Sequence, residues 1–539
     1  MSLSAKKIDP FLIAVIPVLA FLLFWNLGNQ FLWYDEAETA VLADSILSRG
    51  YPSAEIKGFV ISTEESYGPG LSFIAQPWLE SYVAAASFAM FGKSEWSARL
   101  PFALFGFFSF FLLYAAAARL FDCRTARIAV IIAAANVPFL LHLRQCRYYS
   151  LVVFFTLALL LAYLDFIEGR KHSRPVFTVL SFLLFQANFG CFVPVLAALL
   201  IHFFSAKRDR GAVKSFLVMY AWVFALVLPW AFLYKIWMQG GEGGFAEVLR
   251  NAKFYLSKIN EYFFPYRFAA LALAAAWAFG RRHFRFGENE KRALLFLSII
   301  IAVNWVMLWF ADFNSARYVI HIAGLFFIIE AFLAARLLDW NRQTGAVMLA
   351  LLCFTNVLSG PVFYLPVRGL APLVRNWTGL AVDKGILSRK YAGKVEKELG
   401  RAVKKSAVRC YFCDYIYEIT HDYDGPLEGV VKYLRVHAKP GDTIKTHSYN
   451  DKSLLYYTDL RLDVDFSKES YPEWVYLRDY WNDDSFYRTE YFGNIRKRYQ
   501  KIELEYPDIR YENRPDDLTY HHFRTAPLTR RATLYRRKD

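Results

Sequence analysis

Over its first two-thirds the chain repeats one pattern, an apolar run of about 17–25 residues followed by a short polar loop. A run of that length crosses a hydrocarbon core of about 30 Å as an α-helix with every backbone group bonded internally. The runs are Phe11–Leu27, Leu100–Leu120, Ile128–Leu143, Leu151–Phe166, Val176–Ala187, Phe189–Phe204, Phe216–Trp237, Phe268–Gly280, Leu294–Phe310, Tyr318–Ala335 and Ala346–Leu365. Another apolar stretch, Gln76–Gly92, is short, contains Glu80 and runs into Lys93-Ser-Glu95. We read it as a helix lying in the membrane interface.

That choice sets the topology. Arg119, Arg124 and Arg127, then Arg170, Lys171 and Arg174, then Lys207, Arg208 and Arg210, then Arg281, Arg282 and Arg285, and finally Arg336 and Arg342 all fall in loops on one side. The positive-inside rule makes that side cytoplasmic. The expected architecture is an all-α polytopic membrane domain of about eleven spans over residues 1–365, with the amino terminus inside. Its outer loop, 29–100, is rich in acids. From Pro366 the chain is polar and Tyr-rich. Pro426–Ala438 has helical spacing, Pro440-Gly441-Asp442 breaks it, and Thr443–Thr446 reads as a strand. A second alternation follows through Leu454–Tyr457 and Leu462–Phe466, so 366–539 is expected to be a small α/β domain outside the membrane.

Composition narrows the class. With 56% hydrophobic and 18% aromatic residues and a mean hydropathy of +0.23, a water-soluble protein is excluded. The net charge of +15 sits in alternate short loops rather than on one face, so no nucleic-acid partner is expected. Six cysteines make no disulfide framework, although Cys410 and Cys413 could pair locally.

Three constellations carry candidate chemistry, and the topology puts all of them on the outer side. Asp35-Glu-Ala-Glu38 opens the first outer loop, with Asp35 and Glu38 on one helix face and Glu36 turned away. Such carboxylates serve as a general base or a metal ligand, or simply as acids favoured at a helix start. Arg144-Gln-Cys-Arg147-Tyr148-Tyr-Ser offers bidentate phosphate binding by arginine, or arginines snorkelling to phospholipid. Asp312-Phe-Asn-Ser-Ala-Arg317-Tyr318 marks another outer boundary, with His321 one turn on, where a satisfied buried histidine competes with a role in the site. The loop Gln239–Tyr266, with its glycine-rich tip, reads as a flap or as plain connection.

Phe31-Leu-Trp-Tyr-Asp-Glu-Ala-Glu38, Arg49-Gly-Tyr-Pro52 and Phe91-Gly-Lys-Ser-Glu-Trp-Ser-Ala-Arg-Leu-Pro101, together with Arg147-Tyr-Tyr-Ser-Leu151 and Arg317-Tyr318, resemble the GT-C class of membrane glycosyltransferases. The bacterial protein O-mannosyltransferase-like and lipid A aminoarabinose transferase-like enzymes are the most similar. The resemblance covers roughly the first 340 residues. It implies inverting transfer of a monosaccharide from a polyprenyl-phosphate carrier to a lipid, glycan (including lipopolysaccharide) or protein acceptor. The reaction would take place on the outer face of a bacterial inner membrane, with the carboxy-terminal domain periplasmic. It implies Asp35 as the base, Glu36 as its paired neighbour, and Arg147 and Arg317 on the carrier phosphate, with Arg144, Tyr148 and Tyr318 beside them. Glu38, Lys57, Tyr67 and His321 are further candidates. Many relatives have a Lys- or His-Pro-Pro sequence where Tyr67-Gly-Pro-Gly70 stands here, which moves the expected cation to Lys57 or an arginine. The resemblance leaves a divalent metal open and does not require one. A transporter or flippase of a lipid-linked substrate would instead carry charges near the bilayer midplane in repeated halves, and no such repeat is present.

Overall fold

The computed structural model describes residues 9–61, 63–238, 244–279, 286–311, 314–422, 425–447, 450–466, 469–478, 489–508 and 531–538. Most of the apolar runs form helices, but the expected span Ala346–Leu365 is interrupted between the helices Arg342–Phe354 and Pro361–Asp383, where Thr355 is extended and Gly360 precedes Pro361. Five of the helices among the described residues are long and apolar enough to cross a membrane: Glu95–Leu120, Tyr149–Ile167, Arg210–Leu233, Glu288–Phe310 and Ala316–Trp340. The expected span Ile128–Leu143 is broken at Asn136 into Cys123–Ala135 and Val137–Leu143. Asn136 is extended, and Pro138 has no N–H with which to bond back to Ala134, so the helix cannot run on unbroken. Shorter apolar helices include Pro10–Phe24, Ser173–Ala187, Phe189–Ser205 and Arg342–Phe354. The stretch read as interfacial is the helix Leu79–Phe91. The basic cluster Arg281, Arg282 and Arg285 and the glycine tip at 239–243 lie outside the described residues.

The chain divides into two compact units, the first formed by 1–112, 139–242 and 416–539 and the second by 113–138 and 243–415. Within the first unit the acidic loop is built on the helix Tyr34–Arg49. Trp33 is extended before it, and the Trp33 N–H donates to Glu36 three residues on, which closes the amino end. Gly50, at φ 82°, ends it in the left-handed conformation that glycine adopts without strain. A two-stranded hairpin, Glu55–Ile56 with Phe59–Val60, follows.

The carboxy-terminal part of this unit holds a five-stranded sheet, in the order Arg461–Asp463, Thr443–Thr446, Trp474–Tyr476, Arg531–Arg537, Tyr499–Pro507. The first three strands are parallel and the last two join antiparallel. The expected helix at 426 (Pro426–His437), the strand Thr443–Thr446 and the second alternation are all present. Asp451–Tyr457 is the crossover helix between the parallel strands Thr443–Thr446 and Arg461–Asp463. Its Leu455 packs in one apolar cluster with Val41, Leu42, Ala54, Ile56, Ile61 and Phe73 of the first outer loop.

One expectation changes in the second unit. The connection Gln239–Tyr266 contains the helix Phe245–Tyr262. Its buried positions Asn251, Tyr255, Ile259 and Tyr262 recur at helical spacing, a pattern masked in sequence by the charges between them. The helix Pro361–Asp383 runs through Pro366, the position at which the composition changes. Cys410 and Cys413 form a disulfide.

Gly106 brings the helix Glu95–Leu120 against the end of Val137–Leu143, just before the arginine segment. A Cβ there would lie 2.8 Å from the Leu143 Cβ and 3.2 Å from the Leu143 carbonyl oxygen. Gly106→Val is expected to destabilise the purified protein by about 1–3 kcal/mol, read as a lower thermal midpoint in detergent. An unchanged midpoint would contradict this close approach.

Candidate active site

Within the first unit the first outer loop gathers acids and bases into a buried network. At its base Glu36 is fully buried, and Arg99 grips it with Nε on Oε1 at 2.7 Å and Nη2 on Oε2 at 2.6 Å. Such a fork-to-fork pair fixes geometry as well as charge. The other Arg99 hydrogens go to the carbonyls of Leu27, Gln30 and Phe31, so this one side chain satisfies the turn that leads into the acidic helix. Glu36 Oε1 also accepts the Cys146 N–H at 2.9 Å. This carboxylate thereby ties the two sequence motifs, at 35–38 and 144–150, to each other.

One residue beyond Cys146, Arg147 enters the network. Its Nη1 lies 2.9 Å from Glu80 Oε1, 3.2 Å from Thr39 Oγ1, 3.3 Å from Glu38 Oε1 and 3.5 Å from the Asp35 carbonyl oxygen. Glu80 is 1% exposed, and its second oxygen accepts the Tyr148 N–H at 2.7 Å. The Arg147 guanidinium stands 5.7 Å from the Tyr148 ring centroid. Among the described residues Arg147 Nε and both polar atoms of the Gln145 amide make no hydrogen bond, although all three are buried. Buried donors without partners are rare in native proteins and point to something that completes them.

The far side of Glu38 is closed by the carboxy-terminal domain. Lys452, on the crossover helix, lies 3.2 Å from Glu38 Oε2 and donates to the Tyr34 hydroxyl at 2.6 Å, with the Tyr34 ring centroid 4.5 Å away. Burial opposes the charge on Lys452, but Glu38 and Asp451 outweigh it and hold its pKa above the usual lysine value. Burial pushes Asp451 up to about 6 against the pull of Lys452. Around this contact the Leu32 N–H donates to the Tyr457 hydroxyl at 2.8 Å, and the Phe31 and Tyr457 rings stack with centroids 4.2 Å apart.

The structure brings Asp35, Glu36, Glu38, Arg147 and Tyr148 together. Arg144, Lys57 and Tyr67 of the same unit make other contacts. Arg144 donates to the carbonyls of Leu22 and Trp25, where it caps the first helix. Lys57 donates to the carbonyls of Leu455 and Thr458 and to Asp459, at the carboxyl end of the crossover helix. Tyr67 bridges to Phe73 and packs on the apolar cluster. Arg317, Tyr318 and His321 belong to the second unit, on the 3-10 turn Ala316–Ile322. There His321 Nε2 is buried at 2.7 Å from Asn304 Oδ1. Asp312 lies outside the described residues. Among the described residues no three of His, Cys, Asp and Glu converge in a set able to hold a metal ion.

Three members of the network were not singled out in the sequence. Glu80 had a signal, an acid inside an apolar stretch. Arg99 had one too, inside the Phe91–Pro101 motif. Lys452 had none, since its partner Tyr34 is 418 positions away.

A family model described as dolichyl-phosphate-mannose-protein mannosyltransferase matches residues 75–234, a segment that contains Glu80, Arg99 and Arg147. Among solved structures, ArnT from Cupriavidus metallidurans bound to undecaprenyl phosphate has a TM-score of 0.60 at 13% identity, covering 98% of each chain. Its apo state scores 0.56 at 12% identity with the same coverage. The apo oligosaccharyltransferase from Archaeoglobus fulgidus scores 0.51 at 12% identity, covering 87% of this chain and 66% of that one. No curated protein matches the sequence.

Glu80 carries a pH dependence. Burial, with Glu38 adding to it, pushes its carboxyl up to about 7 against Arg147 and the Tyr148 N–H. A folded-state pKa above the unfolded one contributes stability below about pH 4.5 that is lost as pH rises through about 7. Between about pH 5 and 8 the thermal midpoint is therefore expected to decline, and Glu80→Gln is expected to flatten that decline. An unchanged slope in the variant would contradict the assignment.

At these identities the structural likeness speaks to fold, and on it the chain is a multi-pass membrane protein with the GT-C fold of the membrane glycosyltransferases that its motifs resemble.

Proposed function

We propose that the protein is an inverting glycosyltransferase that moves a monosaccharide from a polyprenyl-phosphate carrier to a hydroxyl of a lipid, glycan or protein acceptor, on the outer face of the membrane that holds it. The observation that carries this reading is Arg147. It is a buried guanidinium shared among several acceptors, with its Nε unpartnered among the described residues, beside the backbone of Asp35. The fold's likeness to a protein solved with undecaprenyl phosphate supports the choice of carrier.

In the proposed reaction the acceptor oxygen bonds to the anomeric carbon while the Asp35 carboxylate takes its proton. The bond from that carbon to the phosphate oxygen breaks, and its electron pair leaves on the polyprenyl phosphate. Arg147 meets the charge that develops there, which is where a preorganised cation contributes most. Glu36, engaged by Arg99, Cys146 and the Trp33 N–H, acts as a positioning residue for the two segments that bear Asp35 and Arg147. Glu38 and Glu80 orient Arg147, and Lys452 balances Glu38.

Purified protein given a panel of undecaprenyl-phosphate monosaccharides is expected to transfer one of them. Asp35→Asn is expected to lower that rate by at least about a hundredfold with the thermal midpoint unchanged. Full activity in the variant would remove Asp35 from the mechanism.

A further inference from the structure

Within the second unit stands a carboxyl that the transfer chemistry does not use. Glu330 lies in the span Ala316–Trp340, about 15 Å along the helix from Trp340. It is 6% exposed and, among the described residues, forms no hydrogen bond and no ion pair. An acid buried so far inside a membrane-spanning helix is costly unless something pairs with it.

Glu330 belongs to the walls of two adjoining cavities. The smaller, about 80 Å³, is bordered by the carboxyl ends of three helices: Cys123–Ala135, Phe245–Tyr262 and Arg342–Phe354. Asn136 Nδ2 donates to the Tyr262 carbonyl at 2.8 Å and ties two of these ends together. Asn260 Nδ2, on the Ser359 carbonyl, fastens the second end to the turn after the third. The last carbonyls of a helix have no partner within it, and that end carries about half a negative charge. Three such ends and the Glu330 carboxyl make the cavity electronegative. Glu261, the other acid of its wall, is paired with Lys258 at 3.1 Å, and among the described residues no lysine or arginine lines either cavity. Phe264, Phe354, Tyr411 and Phe412 complete the wall, the last two held inside the Cys410–Cys413 disulfide loop. The larger cavity, about 330 Å³, is lined by apolar residues apart from Glu330 and Thr344. Phe264, Pro265, Leu352 and Leu358 are common to both.

We infer that the two cavities form one binding site for an ammonium group carried on a hydrocarbon chain: the ammonium sits beside Glu330 among the helix ends and aromatic residues, and the chain fills the apolar cavity. Carboxylate, helix carboxyl ends and aromatic rings all attract a cation, and an ammonium suits an aromatic wall. The charge of the wall rejects a lipid phosphate, which would find no cation here. An inorganic cation would leave the apolar cavity unfilled. An apolar chamber with a few convergent polar groups is the usual form of a small-molecule site. Binding there would join three helix ends and so stabilise the second unit.

The test uses the full chain in dodecyl maltoside and a dodecylamine with a photoreactive diazirine in its chain, located by peptide mass spectrometry. The amine is expected to label 264–273 and 333–352 at least about tenfold more than the alcohol and carboxylate of the same chain. Glu330→Gln is expected to remove that preference. Ala334→Trp, which fills the apolar cavity and leaves the carboxyl in place, is expected to abolish the labelling. Equal labelling by amine and alcohol would overturn the proposal, since the apolar chamber alone would then account for it. So would preference for the carboxylate, or displacement of the amine by sodium or potassium ions, the mark of an inorganic cation site. Unchanged preference in a folded Glu330→Gln protein would remove Glu330 from the site. The comparison of the three probes on the native chain does not depend on the folding of either variant.

Discussion

The Glu36–Arg99 pair is the interaction on which the candidate site depends. Both charges are buried, and each is the other's principal compensation. Removing one partner of such a pair leaves an isolated charge in a dry place, at a cost of about 3–5 kcal/mol. Its reach is wider than its energy. Arg99 satisfies the carbonyls of the turn before the acidic helix, and Glu36 accepts the backbone N–H of Cys146. Asp35 is the chain neighbour of one end of this lock and Arg147 of the other. Two segments more than a hundred residues apart are thus registered to each other through this carboxylate, and again through Arg147 on Glu38 and Thr39. The acid and the cation that the transfer reading needs are brought side by side by the backbone contacts of this lock.

Around that lock the charges alternate. Lys452 faces Glu38, Glu38 faces Arg147, and Arg147 faces Glu80. Each acid is shared, so no single pairing exhausts the guanidinium. A cation fully claimed by one carboxylate would be a structural bolt. Shared among Glu80, Glu38, Thr39 and a carbonyl, with Nε unpartnered among the described residues, Arg147 keeps capacity for a further anion. Lys452 matters to this balance because it draws on the Glu38 charge from the opposite side. The crossover helix that carries it is fastened to the first outer loop by Leu455 packing, by the Tyr457 hydroxyl and by Lys57 at its carboxyl end. The carboxy-terminal domain is in this sense part of the site's wall.

Much of this architecture was legible in the sequence, for reasons that are local. An apolar run must bond its own backbone in hydrocarbon, so the runs became helices, and the change of composition after residue 365 foretold the small sheet at 443–476. The Asp35–Glu38 spacing foretold that Glu36 would face away from its neighbours, because helical geometry alone decides it. Pairings between distant positions were not legible. Arg144 and Lys57 had the right charge in the right loops, but each finds carbonyls at a helix end, a partner that no side-chain pattern announces. Glu80 was visible as an anomaly, an acid in an apolar stretch, and its meaning appears only when Arg147, 67 positions on, is folded against it. The helix Phe245–Tyr262 was hidden because its buried face carries mostly Asn and Tyr, with Ile259 its one aliphatic residue, and charges stand between them.

The central claim is that the network exists to present Arg147 to a phosphate ester. Binding of undecaprenyl phosphate to the detergent-purified full chain, measured by native mass spectrometry on the wild type and on Arg147→Gln, tests it most directly. The account predicts a retained lipid phosphate on the wild type and at least about a tenfold loss of affinity in the variant, with the melting profile of both proteins still cooperative. Equal affinity in the two proteins would contradict it.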